Sequence, residues 1–254
     1  MIKENATPPK ARPLRNLASA TERSSARLRG ERRLLERVYG RCHAVLVGAC
    51  AYSTTPPEFL AALTALESGG DPLAARFEPS VYEHLKAVAS GKAPRYGGIP
   101  ASNLEAEIEE MLHPKAEQFH ARYLTPPFAT AYGQQVAALE DEPLRELATS
   151  WGFTQIMGYH MVGRNGTVRD LREPRFHYRL AIELLSEFAG HFQLDLAREF
   201  REMFRCWNTG SPYGFTSDPE YAEKGLRRMG IYREIVKGAG TVKSEGVATK
   251  ATEV

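Results

Sequence analysis

Cysteine is scarce in this chain: Cys42, Cys50 and Cys206 are the only three in 254 residues. Three scattered thiols build neither a disulfide framework nor a zinc site, and an odd count leaves at least one of them free. Long apolar runs are missing too. The longest, Ala44 to Ala51, is eight residues, against the ~20 needed to span a bilayer. With 16 prolines and 21 glycines, collagen-like and wholly disordered chains are excluded. No glycine-rich loop follows a strand-like run, which argues against nucleotide chemistry. The histidines (His43, His84, His113, His120, His160, His177 and His191) show no ligand-like pairing, and Pro114 interrupts the helix that would carry His113 and His120. No metal and no cofactor is expected.

Charge of one sign is abundant at one end. The formal net charge is only +2, yet residues 1–43 hold eleven Lys or Arg against four Asp or Glu, a net of +7. The remainder carries a net of −5. The chain thus reads as a basic arm over 1–43, a body over 44–236 and a loose tail over 237–254. Within the arm, the stretch from Ser24 to Tyr39 has the pattern of a basic amphipathic helix. It either contacts an anionic surface or packs Leu34, Leu35 and Val38 onto the body. The beginning of the chain is polar and arginine-rich, without the apolar stretch of a secretory signal. Val47-Gly48-Ala49-Cys50 is similar to a bacterial lipoprotein cleavage box with Cys50 as anchor; the first buried element of the body is the preferred reading.

The body reads as mainly α-helical. One well-marked helix begins near Pro56-Pro57, with Ser53 or Thr54 as its cap. Its apolar face holds Phe59, Leu60, Leu63 and Leu66, and Gly69-Gly70 stop it. Further helices are expected at 79–90, 103–123, 143–149, 174–189, 195–206 and 218–236, with loops at 91–102 and 125–128. A small β-hairpin is expected in either the 91–102 or the 160–170 region.

Glu67 is the foremost chemical candidate. It follows Leu63 by four residues and Leu60 by seven, which puts a carboxylate on an apolar helix face. Desolvation and the negative end of the helix dipole both favour its protonated form. A carboxylic acid still protonated near neutral pH is what protonation of a glycosidic oxygen requires. The alternative is a boundary glutamate turned to solvent or paired with Arg76. Two further segments join it. Ser150-Trp151-Gly152-Phe153-Thr154-Gln155-Ile156-Met157-Gly158 sets one amide in an apolar, glycine-bearing run, and a buried glutamine can hydrogen-bond an acetamido group or a hydroxyl. Cys206-Trp207-Asn208-Thr209-Gly210 places an aromatic and an amide at a helix end. Each of these, taken alone, could be a structural turn.

In this order the three segments resemble the goose-type lysozyme and lytic transglycosylase group, whose motifs run Glu-Ser, Gly-x-x-Gln-Ile/Met and Tyr-Asn-x-Gly. The closer likeness is to phage-type N-acetylmuramidase domains. These share a Phe-Glu-x-x-x-(Phe/Tyr) stretch, matched by Phe77-Glu78-Pro79-Ser80-Val81-Tyr82, and an Ala-Leu-rich lead into Ser-Trp-Gly, matched from Ala137 to Trp151. The likeness covers roughly Pro57 to Tyr232. One departure is Trp207, which stands where the family has tyrosine and puts the role of that phenol in doubt.

The resemblance implies a lysozyme-like helical domain that cleaves the β-1,4 bond between N-acetylmuramic acid and N-acetylglucosamine, with Glu67 as general acid. Glu78 is the candidate second carboxylate, or else a structural glutamate bonded to an arginine. Ser68, Trp151, Gln155, Trp207 and Asn208 would bind substrate. A hydrolase needs the second carboxylate; a lytic transglycosylase, closing a 1,6-anhydro ring, does not. A non-catalytic glycan-binding module is the competing class. The expected partner is the peptidoglycan strand, with anionic wall polymer touching the basic arm. Nucleic acid is not favoured, because the body lacks a stripe of interleaved aromatic and basic residues. A monomer acting on the cell wall is expected, phage-derived or otherwise delivered.

Overall fold

The computed structural model describes residues 20–120 and 141–248, with side chains placed over 22–112 and 141–239. The architecture is mainly helical with a small antiparallel sheet. Helix α1 (Ala20–Cys50) leads to α2 (Pro57–Glu67), strand β1 (Ala75–Phe77) and α3 (Pro79–Ala89). A tight hairpin of β2 (Arg95–Tyr96) and β3 (Ile99–Pro100) precedes α4 (Ala101–His120). After the helical residues 141–147, here α5, come β4 (Thr149–Trp151) and β5 (Ile156–Met157). Two short 3₁₀ turns, Gly158–Met161 and Val168–Arg172, then lead to α6 (Pro174–Phe192), α7 (Phe200–Thr209) and α8 (Tyr221–Ala248).

Helix α2 is the centre of the molecule. Every residue from Phe59 to Ala65 is buried, and a helix that is apolar all round belongs inside a core. Helices α1 and α8 pack against it and against each other. From α7, Phe204 stacks on Phe59 with ring centroids 4.4 Å apart. Buried Thr64 meets the Tyr178 hydroxyl of α6 at 3.0 Å. Pro57 starts the helix, where its missing N–H costs nothing. The expected serine or threonine cap is absent: Pro56 holds the cap position, and the Ser53 hydroxyl accepts from Thr55 N at 3.0 Å instead. At the other end Ser68 N and Gly69 N both donate to Thr64 O, and Gly69 (φ 65°) and Gly70 (φ 87°) turn the chain away.

The division at residue 43 is corrected. Helix α1 runs unbroken for 31 residues across it, and Leu35, Val38, Cys42, Leu46 and Cys50 are buried at spacings of three or four along one stripe. The packed alternative for Leu35 and Val38 is the one observed. Cys50 closes α1 inside the core, where burial pushes its thiol up to about 12. Two of the arm's arginines are paired: Arg27 reaches Glu220 at 2.7 Å, and Arg32 reaches Glu36 at 3.2 Å. Buried Glu31 takes a two-pronged bond from Arg227, both contacts 2.8 Å, and this holds its carboxyl below the usual range. The tail expected from 237 is also different, since α8 continues to Ala248.

The hairpin falls in the 91–102 region, with Arg95 opposite Pro100 and Tyr96 opposite Ile99. The 160–170 region holds 3₁₀ turns instead. The helix expected at 195–206 begins only at Phe200. The 125–128 loop and the start of the lead from Ala137 lie outside the described residues.

Candidate active site

Three elements converge on one four-residue turn. Strand β4 lies between β1 and β5, with Arg76 opposite Ser150 and Trp151 opposite both Ala75 and Ile156. The turn from β4 to β5 is Gly152-Phe153-Thr154-Gln155. Gly152 (φ 72°) and Gln155 (φ 57°) both adopt left-handed backbone, at ease for glycine and uncommon for glutamine. Each neighbouring motif is tied to this turn. The Ser68 hydroxyl, next to Glu67, donates to Phe153 O at 2.7 Å. Trp207 Nε1 donates to Thr154 O at 2.9 Å. The three segments singled out in the sequence are therefore neighbours in space.

Gln155 does not stand free as a sugar ligand. Its amide nitrogen donates to Ala74 O at 3.2 Å and Gly152 O at 3.0 Å, and its Oε1 accepts from the Ser150 hydroxyl at 2.8 Å. Both amide donors are spent inside the protein, offsetting the strained backbone of the residue that carries them. Trp151 is likewise engaged: Nε1 donates to Glu146 O at 3.0 Å and Arg172 lies over its ring at 4.8 Å. Ser68 and Trp207 are ties between motifs. Asn208 is exposed.

Beneath the turn lies a residue that pattern reading passed over. His177 of α6 is wholly buried. Its Nδ1 faces Leu171 O at 2.8 Å, and its Nε2 faces Thr154 N at 2.9 Å and Thr154 Oγ1 at 2.8 Å. A carbonyl can only accept and a backbone amide can only donate, so Nδ1 carries the proton and the ring is neutral. Burial holds His177 down at about 4. The sequence did contain a signal: His177 shares a helix face with Ala181 and Leu184, the usual place of a core histidine with partners to find.

Glu67 ends α2 with its carboxyl largely withdrawn from solvent. Burial raises it above the ordinary 4.5; the Tyr221 hydroxyl and the positive charge of Arg76 oppose that rise without cancelling it. Tyr221, at the start of α8 and buried, donates its phenolic proton to Glu67 Oε1. Burial and the neighbouring carboxyl hold this phenol well above its usual range. The phenol that reaches Glu67 is thus Tyr221, while Trp207 bonds the Gly152–Gln155 turn. Its signal in the sequence was the spacing of Tyr221, Gly225, Met229 and Tyr232 along one core-facing stripe, where a tyrosine hydroxyl needs a partner.

Arg76, on β1, links the two carboxylates of interest. Its Nε lies 2.6 Å from Glu78 Oε1, while its charge acts on Glu67. Glu78 caps α3 through its backbone position, and its N–H donates to Ala148 O at 2.9 Å. A cleft of about 550 Å³ opens beside Leu66 and Tyr221, walled also by Arg27, Glu31, Lys224 and Arg228. Tyr221 therefore borders both the Glu67 carboxyl and open space. Among the described residues no group of three His, Cys, Asp or Glu is placed to hold a metal ion.

The chain matches no family model, no curated protein and no solved structure.

Removing the Tyr221 hydroxyl isolates its effect on Glu67. In Tyr221→Phe the donor that favours the carboxylate is gone, so the Glu67 pKa rises further. The Glu67 carboxyl, followed through its carbon-13 resonance, is expected to titrate at higher pH in the variant than in the wild type. A titration that does not move would deny Tyr221 any influence on the carboxyl.

Proposed function

We propose that this protein is a glycosidase that cleaves the β-1,4 bond between N-acetylmuramic acid and N-acetylglucosamine in peptidoglycan. The observation that carries this reading is the Glu67 carboxyl, desolvated at a helix end, raised in pKa and oriented by Tyr221. Because Oε1 accepts the Tyr221 proton, the acidic proton of neutral Glu67 belongs on Oε2, free to pass to a departing oxygen. As the glycosidic bond breaks, that oxygen leaves as a hydroxyl and Glu67 becomes a carboxylate. Arg76 then stabilises the new negative charge.

Glu78 is the second carboxylate of this proposal. Its Oε1 lies 2.6 Å from Nε of the same Arg76 whose charge acts on Glu67, and in this proposal it activates water or steadies a cationic centre. Contact with anionic wall polymer is proposed for α1. Arg29, Arg33, Arg37 and Arg41 are all exposed, recur every four residues and have no ion-pair partner among the described residues. The row climbs about 18 Å of helix. Three successive like-charged pairs at that spacing weaken a helix slightly, which favours a ligand for the row over mere solvation.

Mass spectrometry of the muropeptides released from purified peptidoglycan tests the reaction. Reducing muramyl ends are the expected product. Anhydro ends would replace hydrolysis by transglycosylation and remove Glu78 from the mechanism. Undigested glycan would refute the enzyme.

A further inference from the structure

Helices α7 and α8 are joined by residues 210–220, and both ends of this loop are fixed to the site. Trp207, just before it, is bonded to the Gly152–Gln155 turn, and Tyr221, just after it, is bonded to Glu67. Between them, Tyr213 is 82% exposed and Phe215 is 100% exposed. Tyr52 is also fully exposed but stands alone, whereas Tyr213 and Phe215 set two large rings one residue apart in water.

The loop does not expose them through slackness. Gly210 closes α7 in left-handed backbone, with its N–H on Cys206 O at 2.8 Å. The Thr209 hydroxyl bonds Arg205 O and Ser211 O, each at 2.9 Å. The Ser211 hydroxyl accepts from Tyr213 N at 3.3 Å, and Gly214 N donates to Ser211 O at 3.2 Å. Gly214 packs so tightly on Thr209 that an added Cβ would overlap its hydroxyl. Further along, the Thr216 hydroxyl donates to Asp218 O at 2.5 Å, and Asp218 pairs with Lys224 of α8. The backbone that carries the rings is therefore ordered before any ligand arrives, which lowers the ordering cost of binding one.

We propose that Tyr213 and Phe215 form a stacking platform for the saccharide strand, gripping pyranose rings beyond those that flank the bond at Glu67. The proposal rests on the glycosidase reading. A pyranose presents a face of C–H groups ringed by hydroxyls, and an exposed aromatic ring is apolar on its face and tolerant of water at its edge. A polymer of such rings is the occupant that matches two fixed aromatics continuous with a glycan-cleaving site.

The test uses the full chain as wild type, Tyr213→Ala, Phe215→Ala and the double variant, with melting temperature as the folding control. Sedimentation with purified, lipid-free peptidoglycan is expected to show the double variant binding about tenfold or more weaker, each single variant falling between. KM on long soluble strands rises accordingly while kcat and the melting temperature hold. Tyr213→Phe and Phe215→Tyr keep the binding, because the rings remain. Wild-type-like binding by the double variant overturns the platform. So does a joint fall in kcat and melting temperature, which marks a structural role. Loss of binding confined to phosphatidylglycerol vesicles overturns it in favour of a lipid contact. If the wild type itself neither binds nor cleaves peptidoglycan, the glycosidase reading falls and takes the platform with it.

Discussion

Glu67→Gln is expected to abolish clearing of a peptidoglycan suspension, lowering kcat by about 10²–10⁴-fold, the usual worth of a positioned general acid. The amide keeps the shape of the side chain and an oxygen for the Tyr221 hydroxyl, so binding to the wall survives. Stability changes in the opposite direction from activity. Burial raises the Glu67 pKa above its ordinary 4.5. Its favourable contribution is therefore fully present below that ordinary value and is lost as pH rises through the folded value. At neutral pH the wild type must on folding either desolvate the carboxylate or take up a proton, and glutamine does neither. The variant should melt higher than wild type at pH 7, with the gap closing below about pH 4.5, read at roughly 2–4 °C per kcal/mol for a chain of this size. Clearing at the wild-type rate would end the assignment of Glu67 as the acid.

Gly152→Ala is expected to be strongly destabilising. Gly152 has φ 72°, and a Cβ there would lie 2.5 Å from Leu171 O and 2.8 Å from His177 Nδ1. Those two atoms are themselves a hydrogen-bonded pair, so the methyl wedges into the bond that fixes the buried histidine. Left-handed backbone costs about 1–2 kcal/mol, overpacking about 1–3 and an unsatisfied buried pair about 1–3. A total on the order of 4 kcal/mol lowers the melting temperature by about 8–16 °C. Gly210→Ala is the matched control. Gly210 has nearly the same φ, 74°, but nothing within 4 Å of an added Cβ, so only the backbone cost of about 1–2 kcal/mol applies. Equal losses in the two variants would mean that the histidine bond contributes nothing.

What could be read from the sequence was local. The spacing of Leu60, Leu63 and Glu67, stopped by two glycines, located the end of α2 and the exposure of its last carboxyl to an apolar setting, because helix periodicity and glycine stops act within a few residues. The partner of that carboxyl was beyond such reasoning. Tyr221 lies 154 residues from Glu67, and only tertiary packing decides which phenol reaches it. The partners of Gln155 lie beyond local pattern for the same reason: its bonds to Ala74 O and the Ser150 hydroxyl form only when the sheet assembles. The basic arm misled through averaging. Net charge over 1–43 hid a buried stripe of Leu35, Val38 and Cys42, because one helix face can pack while the other carries arginines.

The packing of α2 between α1 and α8 has a consequence for synthesis. Helix α2 emerges from the ribosome well before α8, yet α8 supplies one of its two flanking helices and the hydroxyl on Glu67. A nascent chain that has not reached Tyr221 holds its acid without an orienting phenol and its central helix half-covered. The site is completed only once Tyr221 has been made and α8 docks beside α1.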